Sequence, residues 1–443
     1  MTPRGHLSRR HFLAASSGAL GANTLRGQEA GDDPAPDGRL AIDGGPKAVR
    51  ESPPRPRRWG EPERERLEAM LGQDSLFYWK GPQTGLLVER FREACPLEYV
   101  MTCSSGTAAL HIAVAAAGIA PGDEVITSPV TDIGTVIGVL YQQAVPVFAD
   151  LGRNTYNLDP EDVARRITPR TRAIIAVHLA GNPCDLDALK ALADEHGLAL
   201  IEDCAQAWGA RYRGRPIGTI GHIACFSLQD SKHVTCGDGG VVASNEERYG
   251  PRLQRFGDKG FDRLGSSGLF ESFATNYRMS EPQAAVASAQ LTRLEGIAAR
   301  RARLGDLLTE GIAGLPGIEP HAVRADDRCT YWFSMFRLRP GAMRCDRAEF
   351  VRALVAEGVP ATAGYIPLPL YGNPVFREHG FFAGRWPVKE LGLTTMDYEA
   401  VSCPEAEAIL ESGVRVAIHE GMDEAYIRGV AAAVRKVASH YSA

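Results

Sequence analysis

The sequence predicts an α/β fold in which a mostly parallel sheet is covered by helices on both faces. Between residues 106 and 203, short apolar runs alternate with helical segments, and the runs include VPVFAD, RAIIAVHLA and LALIEDC. Runs of this length that lie between helices are typical of strands buried on both faces. At 443 residues, the chain is long enough for one large and one smaller domain.

The elements before the first of these runs follow from local signals. From about Trp59 to Ala94 the pattern is helical, with a break at Gly81-Pro82. A Gly-Thr pair at residues 106–107 opens an alanine-rich helix, which ends at Gly118 and Pro121-Gly122 before a strand that begins near Glu124.

The remaining elements divide the chain into two predicted domains. Further helices are expected around 133–143, from Pro160, and from Leu186 to His196, each leading into one of the strands named above. GGVVAS predicts an antiparallel strand, and a long helix is expected from about Pro282 to Leu307. Beyond about residue 325 comes a strand (YWFSMFRLR), a helix (DRAEFVRALVAEG) and a terminal helix. We therefore expect a large domain over residues 39–324 and a small α+β domain over 325–443.

The N-terminus resembles an export signal. Paired arginines in Ser8-Arg9-Arg10-His11-Phe12-Leu13 precede a weakly apolar run, AASSGALGA, as in twin-arginine signals. A Gly-, Asp- and Pro-rich linker then extends to about residue 38. This pattern predicts export to the periplasm, and the alternative is a basic tail on a cytoplasmic protein.

Composition argues against several classes of function. The net charge of −5 provides no global positive field for nucleic acid, and no apolar stretch is long enough for stable membrane insertion. Arginine clusters at 55, 57 and 58 and at 300, 301 and 303 are interpreted as solvated faces. The nine cysteines form no C-x-x-C pair, so we expect neither a zinc site nor a disulfide framework.

Four segments carry residues that can support chemistry. Gly106-Thr107 lies at a strand-to-helix turn, where free N–H groups form an anion site, although a simple helix cap is the alternative. Asp203 ends an apolar strand and can either hold the nitrogen of a cofactor ring protonated or cap the next element. Lys232 lies between a strand and a glycine-rich turn, where partial desolvation would supply a free amine. An exposed loop lysine is the alternative for Lys232. Asn276 is interpreted as a helix cap or as a group that reaches a neighbouring subunit.

Taken together, these segments resemble the DegT/DnrJ/EryC1/StrS aminotransferases. The blocks that carry the resemblance begin near Leu40 and include SGTAALHIAV, GDEVI, PVFADL, YNLDPEDV, AIIAVHLAGNP, LIEDCAQAWGA and FS-x₄-K-x₄-GDGG, in this order. The resemblance implies the aspartate-aminotransferase fold (type I), with a seven-stranded sheet, and the cofactor pyridoxal 5′-phosphate. It also implies transfer of an amino group from an amino-acid donor, with glutamate expected, to a keto group of a sugar or sugar-like acceptor.

The resemblance also implies a role for each residue. Lys232 would form a Schiff base with the cofactor and carry protons, and Asp203 would pair with the ring nitrogen. Gln206 would lie beside the ring, and Gly106, Thr107 and Ser227 would bind the phosphate. Asn276 would reach that phosphate from the second subunit of a homodimer, which would make the dimer necessary for activity.

Two positions depart from the family pattern. Asp132 stands where the family usually has an aromatic residue that stacks on the cofactor ring, and the segment Tyr365–Tyr371 lacks a histidine that is usual there. Both departures argue against a nucleotide-sugar substrate, as does the export signal. Two alternative functions therefore stay open: an exported, non-catalytic binding or sensing protein, and a sugar dehydratase, for which His233 would replace the lysine.

Overall fold

The computed structural model describes residues 38–263, 265, 270 and 272–443. The twin-arginine-like segment and nearly all of the predicted linker therefore lie outside the described residues. In the part that is described, no helix is long and apolar enough to cross a membrane.

Strands and helices alternate along most of the described chain. The strands are β1 Tyr99–Cys103, β2 Glu124–Thr127, β3 Val145–Phe148, β4 Thr171–Val177, β5 Ala199–Asp203, β6 Arg211–Tyr212, β7 Arg215–Pro216, β8 Ile223–Ser227, β9 Gly240–Ser244, β10 Ile318–Glu319, β11 Phe333–Leu338, β12 Ala361–Ala363 and β13 Gly413–Ala417. The α-helices are α1 Glu61–Leu71, α2 Pro82–Ala94, α3 Gly106–Ala116, α4 Gly134–Tyr141, α5 Pro160–Arg166, α6 Leu186–Glu195, α7 Gly250–Gly257, α8 Glu281–Leu291, α9 Leu294–Ile312, α10 Arg347–Ala356, α11 Pro374–Arg377, α12 Pro387–Glu390, α13 Pro404–Ser412 and α14 Glu424–Tyr441.

Seven strands form the large sheet, in the order β1-β9-β8-β5-β4-β2-β3. The neighbours from β3 to β8 are parallel, whereas β9 is antiparallel to both β8 and β1. The predicted α/β class, the seven-stranded mostly parallel sheet and the antiparallel strand GGVVAS are all confirmed.

The sheet is buried on both faces, which explains why its strands are nearly continuous apolar runs. Along β5, Leu200 belongs to the core cluster on one face and Ile201 to the cluster on the other, because successive side chains alternate. Both residues are fully buried. Burial of each such side chain contributes about 1.5–3 kcal/mol to stability.

Two predicted helices differ from the structure. The helical pattern from Trp59 to Ala94 is two helices, and the ten residues 72–81 separate the end of the first helix from Pro82. The predicted helix from Pro282 to Leu307 is also two helices, interrupted at Thr292. The Thr292 hydroxyl donates to the Ala289 carbonyl, and the chain continues with an i→i−3 bond from Arg293 N–H.

A second, four-stranded sheet has the order β10-β11-β13-β12 and is antiparallel throughout. It contains the predicted strand YWFSMFRLR, and α9, α10 and α14 contribute to the core cluster beside it. Residues 39–443 form one compact unit. The predicted domain boundary between residues 324 and 325 therefore stays a prediction.

Candidate active site

A cavity of about 440 Å³ lies where the carboxyl ends of β5 and β8 meet the N-terminus of α3. Six of the seven predicted site residues line it, and Asn276 does not. The lining residues are Ser105, Gly106, Thr107, Leu110, Thr131, Asp132, Gly134, Thr135, Asp203, Ala205, Gln206, Ser227, Gln229, Ser231, Lys232, Asp238 and Trp332. A larger cavity of about 610 Å³, beside the Tyr78–Gly81 segment, contains none of the predicted residues.

One end of the cavity is formed by the first turn of α3. Ser105 caps this helix, because its Oγ accepts the N–H of Ala108 at 3.0 Å. The first N–H groups of a helix have no partner within it, so those of Gly106 and Thr107 are suited to an anion. The cap and the anion site, which the sequence left as alternatives, are therefore compatible in one turn.

Close approach of two backbone segments explains the glycine at the start of α3. A Cβ on Gly106 would lie 2.7 Å from the Cβ of Ser227, which is closer than real Cβ atoms approach. Likewise, a Cβ on Gly240 would overlap the Ser105 carbonyl oxygen. These glycines let the end of β8 and the start of β9 pack against the α3 turn.

Asp203 ends β5 and is buried, with 5% of its surface exposed. One carboxylate oxygen accepts the hydroxyl of Thr135 at 2.9 Å, and the other accepts the N–H of Ala205 at 3.1 Å. Burial raises the pKa of Asp203 above its ordinary value, although these two hydrogen bonds and the charge of Lys232 partly offset the rise. No α-helix follows within the next residues, so the interpretation as a helix cap is wrong.

The neighbouring Glu202 supports the end of β5 from the other face. Its carboxylate accepts the N–H groups of Gly218 at 2.6 Å and Ile220 at 3.0 Å, and lies 3.1 Å from His178 Nε2. His178 Nδ1 accepts the N–H of Cys184 at 3.0 Å, so the ring is neutral and donates from Nε2. These bonds fix the strand that presents Asp203 to the cavity.

Lys232 is buried, with 8% of its surface accessible, so the interpretation as an exposed loop lysine is wrong. Its Nζ lies 3.9 Å from the centroid of the Trp332 ring. Burial lowers the pKa of the Lys232 amine below its ordinary value, and the carboxylates of Asp203 and Asp132 partly offset this effect. The free-amine form that attacks a carbonyl is thereby favoured.

The backbone of Lys232 is fixed by Arg58, which the sequence placed in a solvated cluster. Arg58 Nη1 donates to the carbonyls of Asp230 at 2.9 Å and Lys232 at 2.7 Å. Its Nη2 lies 4.0 Å from the Glu420 carboxylate, which also pairs with the buried Arg301 at 2.8 Å. The prediction that both arginine clusters are solvated faces is therefore wrong for Arg58 and Arg301.

Gln206 connects the cavity to the small sheet. Its Oε1 accepts the N–H of Ala180 at 2.9 Å, and its Nε2 donates to the hydroxyl of Tyr365 at 3.1 Å. Tyr365 stacks on Phe333 with 5.2 Å between ring centroids. A tyrosine of the segment that lacks the usual histidine therefore contacts a cavity-lining residue.

Trp332 was not among the predicted site residues, although it belongs to the run YWFSMFRLR that was predicted as a strand. It is the one aromatic residue among the described residues that line the cavity. Its N–H donates to the Ala180 carbonyl at 2.8 Å, and its indole N–H donates to the Ser231 carbonyl at 2.7 Å. Ala180 and Tyr331 both have positive φ values, of 57° and 38°, which are strained for residues with a side chain. The hydrogen bonds of Trp332 help to hold both residues in this conformation.

Asp132 lines the cavity where the family pattern has an aromatic residue. It is exposed at the opening, and its Oδ1 accepts the N–H of Gly134 at 2.8 Å. An exposed carboxylate cannot stack on a ring, so the position supplies a negative charge instead.

Two predicted residues lie away from the cavity. Asn276 is exposed, and its Oδ1 accepts from Arg278 Nε at 2.7 Å. It does not cap the following helix, because Ser280 is the N-cap of α8. His233 is buried, and its Nε2 donates to the Thr330 carbonyl at 3.0 Å, so it cannot replace Lys232 in the cavity.

The residues of the cavity fit pyridoxal phosphate. The α3 N-terminus and the Ser227 hydroxyl suit a phosphate, and Asp203 supplies a buried carboxylate for a protonated ring nitrogen. Lys232 supplies a desolvated amine for an aldehyde. The absence of a side chain at Gly106 leaves room for Ser227 beside the α3 turn, so its hydroxyl and the first N–H groups of α3 lie at the same end of the cavity.

Known proteins share both the sequence and this architecture. The profile of the DegT/DnrJ/EryC1/StrS aminotransferase family matches residues 58–435. The chain is 38% identical over 305 residues to dTDP-3-amino-3,4,6-trideoxy-α-D-glucose transaminase of Streptomyces venezuelae, covering 68% of this chain and 78% of that protein. It is 34% identical over 349 residues to GDP-perosamine synthase of Caulobacter vibrioides, covering 78% and 88%.

A solved structure supports the same relationship. The aminotransferase from Psychrobacter cryohalolentis superimposes with a TM-score of 0.77 at 29% identity, covering 88% of this chain and 99% of that one. The chain therefore belongs to the DegT/DnrJ/EryC1/StrS aminotransferase family.

Proposed function

We propose that this pyridoxal-phosphate-dependent aminotransferase uses Lys232 to transfer an amino group from an amino acid to a keto group of a sugar or sugar-like acceptor. The observation that carries the proposal is the buried Lys232 amine in one cavity with Asp203 and the α3 N-terminus. The activities for which the relatives from Streptomyces venezuelae and Caulobacter vibrioides are named support a sugar acceptor.

Lys232 has two tasks in this proposal. When bound, pyridoxal phosphate supplies an aldehyde that forms a Schiff base and a ring that takes up the electron pair released at the substrate carbon. The Lys232 amine would hold the cofactor through its aldehyde, and a donor amine would release it. Once released, Lys232 Nζ would accept the proton of the donor's α-carbon and return it to the adjoining carbon of the cofactor. The lowered pKa of Lys232 keeps Nζ able to accept that proton.

Asp203 and the α3 turn hold the two ends of the site. The Asp203 carboxylate stabilises a positive charge on the ring nitrogen, and the Thr135 hydroxyl orients that carboxylate. The N–H groups of Gly106 and Thr107 and the hydroxyl of Ser227 bind the phosphate. Gln206 orients Tyr365 and the Ala180 loop at the side of the cavity.

A homodimer with shared active sites is part of the proposal. Asn276 is exposed and outside its own chain's cavity, so any contact with a bound phosphate has to be made to the cavity of a second copy. Phe273, three residues earlier, is fully exposed, and a large exposed aromatic side chain favours an interface. Sedimentation of the purified protein tests dimerisation, and a dimer is expected. Titration of an Asn276→Ala variant with pyridoxal phosphate tests phosphate binding separately, and weaker binding than in the wild type is expected.

The half-reaction with an amino donor tests the central proposal. Incubation of the holoprotein with L-glutamate is expected to convert its visible absorption band to that of the pyridoxamine form. Lys232→Ala should abolish the conversion, whereas Lys47→Ala, a change at an exposed lysine, should not. A wild-type holoprotein that reacts with none of the twenty amino acids would favour a binding or sensing role instead.

We also propose that the first residues direct export through the twin-arginine route. Arg9-Arg10 followed by Phe12-Leu13 and a weakly apolar run supports this proposal, and the route carries folded proteins with bound cofactor. Fusion of residues 1–38 to a reporter should place it in the periplasm. Replacement of both arginines by lysine should keep the reporter in the cytoplasm, and equal export of the two fusions would contradict the proposal.

A further inference from the structure

Asp132 is an acidic residue at the opening of the cavity, and the fold uses only part of its carboxylate. Its Oδ1 accepts the N–H of Gly134 at 2.8 Å, which fixes the side chain at the start of α4. Its Oδ2 has no hydrogen-bond partner among the described residues, and no described lysine or arginine forms a salt bridge with it. An asparagine would hold the same turn, so the turn alone does not explain the negative charge.

The charge of Asp132 acts on the interior of the cavity. Asp132, Lys232 and Gln206 all line it, and Gln206 donates to the hydroxyl of Tyr365. Burial lowers the pKa of Lys232, and the carboxylates of Asp203 and Asp132 partly offset this effect. Burial raises the pKa of Tyr365, and the Asp132 carboxylate raises it further. The negative charge therefore acts on two sides of the space that a bound molecule would fill.

Other polar side chains of the interior are already engaged by the protein. The Asp203 carboxylate accepts from the Thr135 hydroxyl and from the N–H of Ala205. The Thr135 hydroxyl also bonds to that of Thr131, at 2.8 Å. Gln206 uses both its amide oxygen and its amide nitrogen in bonds to the protein. These groups hold the site in shape, so a substituent of the acceptor has to be recognised by another residue.

The charges at the opening disfavour an anionic substituent. Among the described residues that line the cavity, Lys232 is the one cation, and the proposed function assigns its amine to the cofactor. Asp132 and Asp238 are exposed carboxylates of the same lining, and neither forms a salt bridge with a described residue. These two charges repel a phosphate group at the opening and attract a protonated amine.

We propose that Oδ2 of Asp132 binds a protonated amino group of the keto acceptor, which is therefore a sugar or sugar-like ring that already carries an amine and no phosphate. The proposal rests on the proposed aminotransferase function and adds the class of acceptor to it. The amine donates a charge-assisted hydrogen bond to Oδ2, while Oδ1 stays bonded to Gly134. The same charge disfavours the diphosphate of a nucleotide sugar.

Ligand binding to the borohydride-reduced holoprotein tests this subsite without turnover, because the reduced cofactor stays on its lysine and cannot react. Calorimetry at about pH 6, where sugar amines are protonated, should show tighter binding of glucosamine and 2-deoxystreptamine than of uncharged glucose and myo-inositol. Asp132→Asn keeps an oxygen for Gly134, removes the charge, and should weaken the binding of both amines by about 5-fold or more. Asp326→Asn, at an exposed aspartate outside the cavity lining, should leave both affinities unchanged.

A nucleotide sugar provides a test of opposite sign. Asp132→Asn should strengthen the binding of UDP-glucose to the reduced holoprotein by about 2-fold or more, because one repelling charge is removed. Loss of structure at the opening would instead weaken the binding of every ligand. Opposite changes for the amines and for UDP-glucose therefore identify an effect of charge.

The reverse half-reaction tests whether the subsite serves the acceptor. 2-Deoxystreptamine carries two amino groups, so one can pass to the cofactor of the unreduced holoprotein, leaving a ketone, while Asp132 holds the other. Its concentration for half-maximal rate should be about 5-fold or more below that of glucosamine, whose single amine is the one transferred. Asp132→Asn should remove this difference.

Equal affinities of wild type and Asp132→Asn for both amines overturn the proposal, as does weaker binding of every ligand by the variant. Wild-type binding of UDP-glucose as tight as that of the amines overturns the assigned class of acceptor. Amine binding that depends on Asp132, without a difference between the two amines in the half-reaction, overturns the assignment to the acceptor. If amine binding depends on Asp132 but no amino acid converts the cofactor, the subsite stands and the proposed function fails.

Discussion

The amine nitrogen of Lys232 lies 3.9 Å from the centroid of the Trp332 ring, close enough for a cation–π interaction. The two residues belong to different sheets, since Lys232 follows β8 of the large sheet and Trp332 precedes β11 of the small one. The ring therefore covers the amine from the side opposite the large sheet and helps to exclude water. This contact joins the small sheet to the proposed chemistry.

Trp332→Leu should lower the rate of the half-reaction because the smaller side chain admits water to the Lys232 amine, and hydration favours its charged form over the reactive free amine. Each 1.4 kcal/mol by which the charged form is stabilised lowers the fraction of free amine about 10-fold, so we expect a loss of roughly 2- to 10-fold. Trp332→Phe keeps an aromatic side chain, so its rate should lie between those of the wild type and Trp332→Leu. Stopped-flow absorbance with L-glutamate measures the three rates, and a leucine variant as fast as wild type would mean that the ring only fills space.

Asp203→Asn should stabilise the cofactor-free protein at neutral pH. Burial raises the pKa of Asp203, so the folded protein binds a proton more tightly than the unfolded chain does. Its charge therefore lowers stability once the pH rises through the folded-state pKa. The Tm of the variant should exceed that of wild type at pH 7, and the difference should vanish below about pH 4, the ordinary pKa of aspartate.

Scanning calorimetry across this pH range measures the effect, with Asp326→Asn as a control at an exposed aspartate. A Tm difference for Asp203→Asn that does not change with pH would contradict the account. The same variant should lose activity by on the order of 100-fold or more, because the ring nitrogen loses its charged partner.

Arg58→Met should lower kcat and leave the KM for the donor nearly unchanged. Arg58 holds the carbonyls of Asp230 and Lys232 and touches neither the cavity nor, in this account, the substrate. Loss of hydrogen bonds from a charged group costs about 1.5–3 kcal/mol, so a 10- to 100-fold decrease is expected if the lysine is displaced. Arg57→Met, at an exposed neighbour, is the control. An increase in KM with unchanged kcat would instead indicate a role in donor binding.

Gly106→Ala should weaken cofactor binding because the new Cβ would meet the Cβ of Ser227. Overpacking costs about 1–3 kcal/mol, which corresponds to a roughly 5- to 150-fold increase in the Kd for pyridoxal phosphate. Gly296→Ala is the control, since a Cβ on Gly296 of α9 would meet nothing within 4 Å. Spectral titration of the cofactor-free proteins measures both constants, and equal values would show that the α3 turn tolerates a side chain.

The large sheet and most of the cavity could be predicted from the sequence, because the signals that define them lie in short, continuous segments of the chain. Each strand from β2 to β5 is a buried apolar run, and Gly106, Asp203 and Ser227 stand at the ends of such elements. A parallel sheet brings these ends to one edge, so their order along the chain predicts their proximity. The buried state of Lys232 required the family resemblance as well as its position.

The residues that were missed reach the site from distant segments. Arg58 precedes α1, whereas Trp332 lies beside a strand of the small sheet. No local pattern distinguishes Arg58 from Arg57, because only tertiary contacts leave one exposed and bury the other.

Reduction of the holoprotein with borohydride, followed by peptide mass spectrometry, tests the central claim most directly. The reagent converts a Schiff base into a stable bond, so it marks whichever lysine holds the cofactor. A pyridoxyl label is expected on the peptide that contains Lys232 and on no other peptide. A label on a different lysine, or no label in a protein that still converts glutamate, would contradict it.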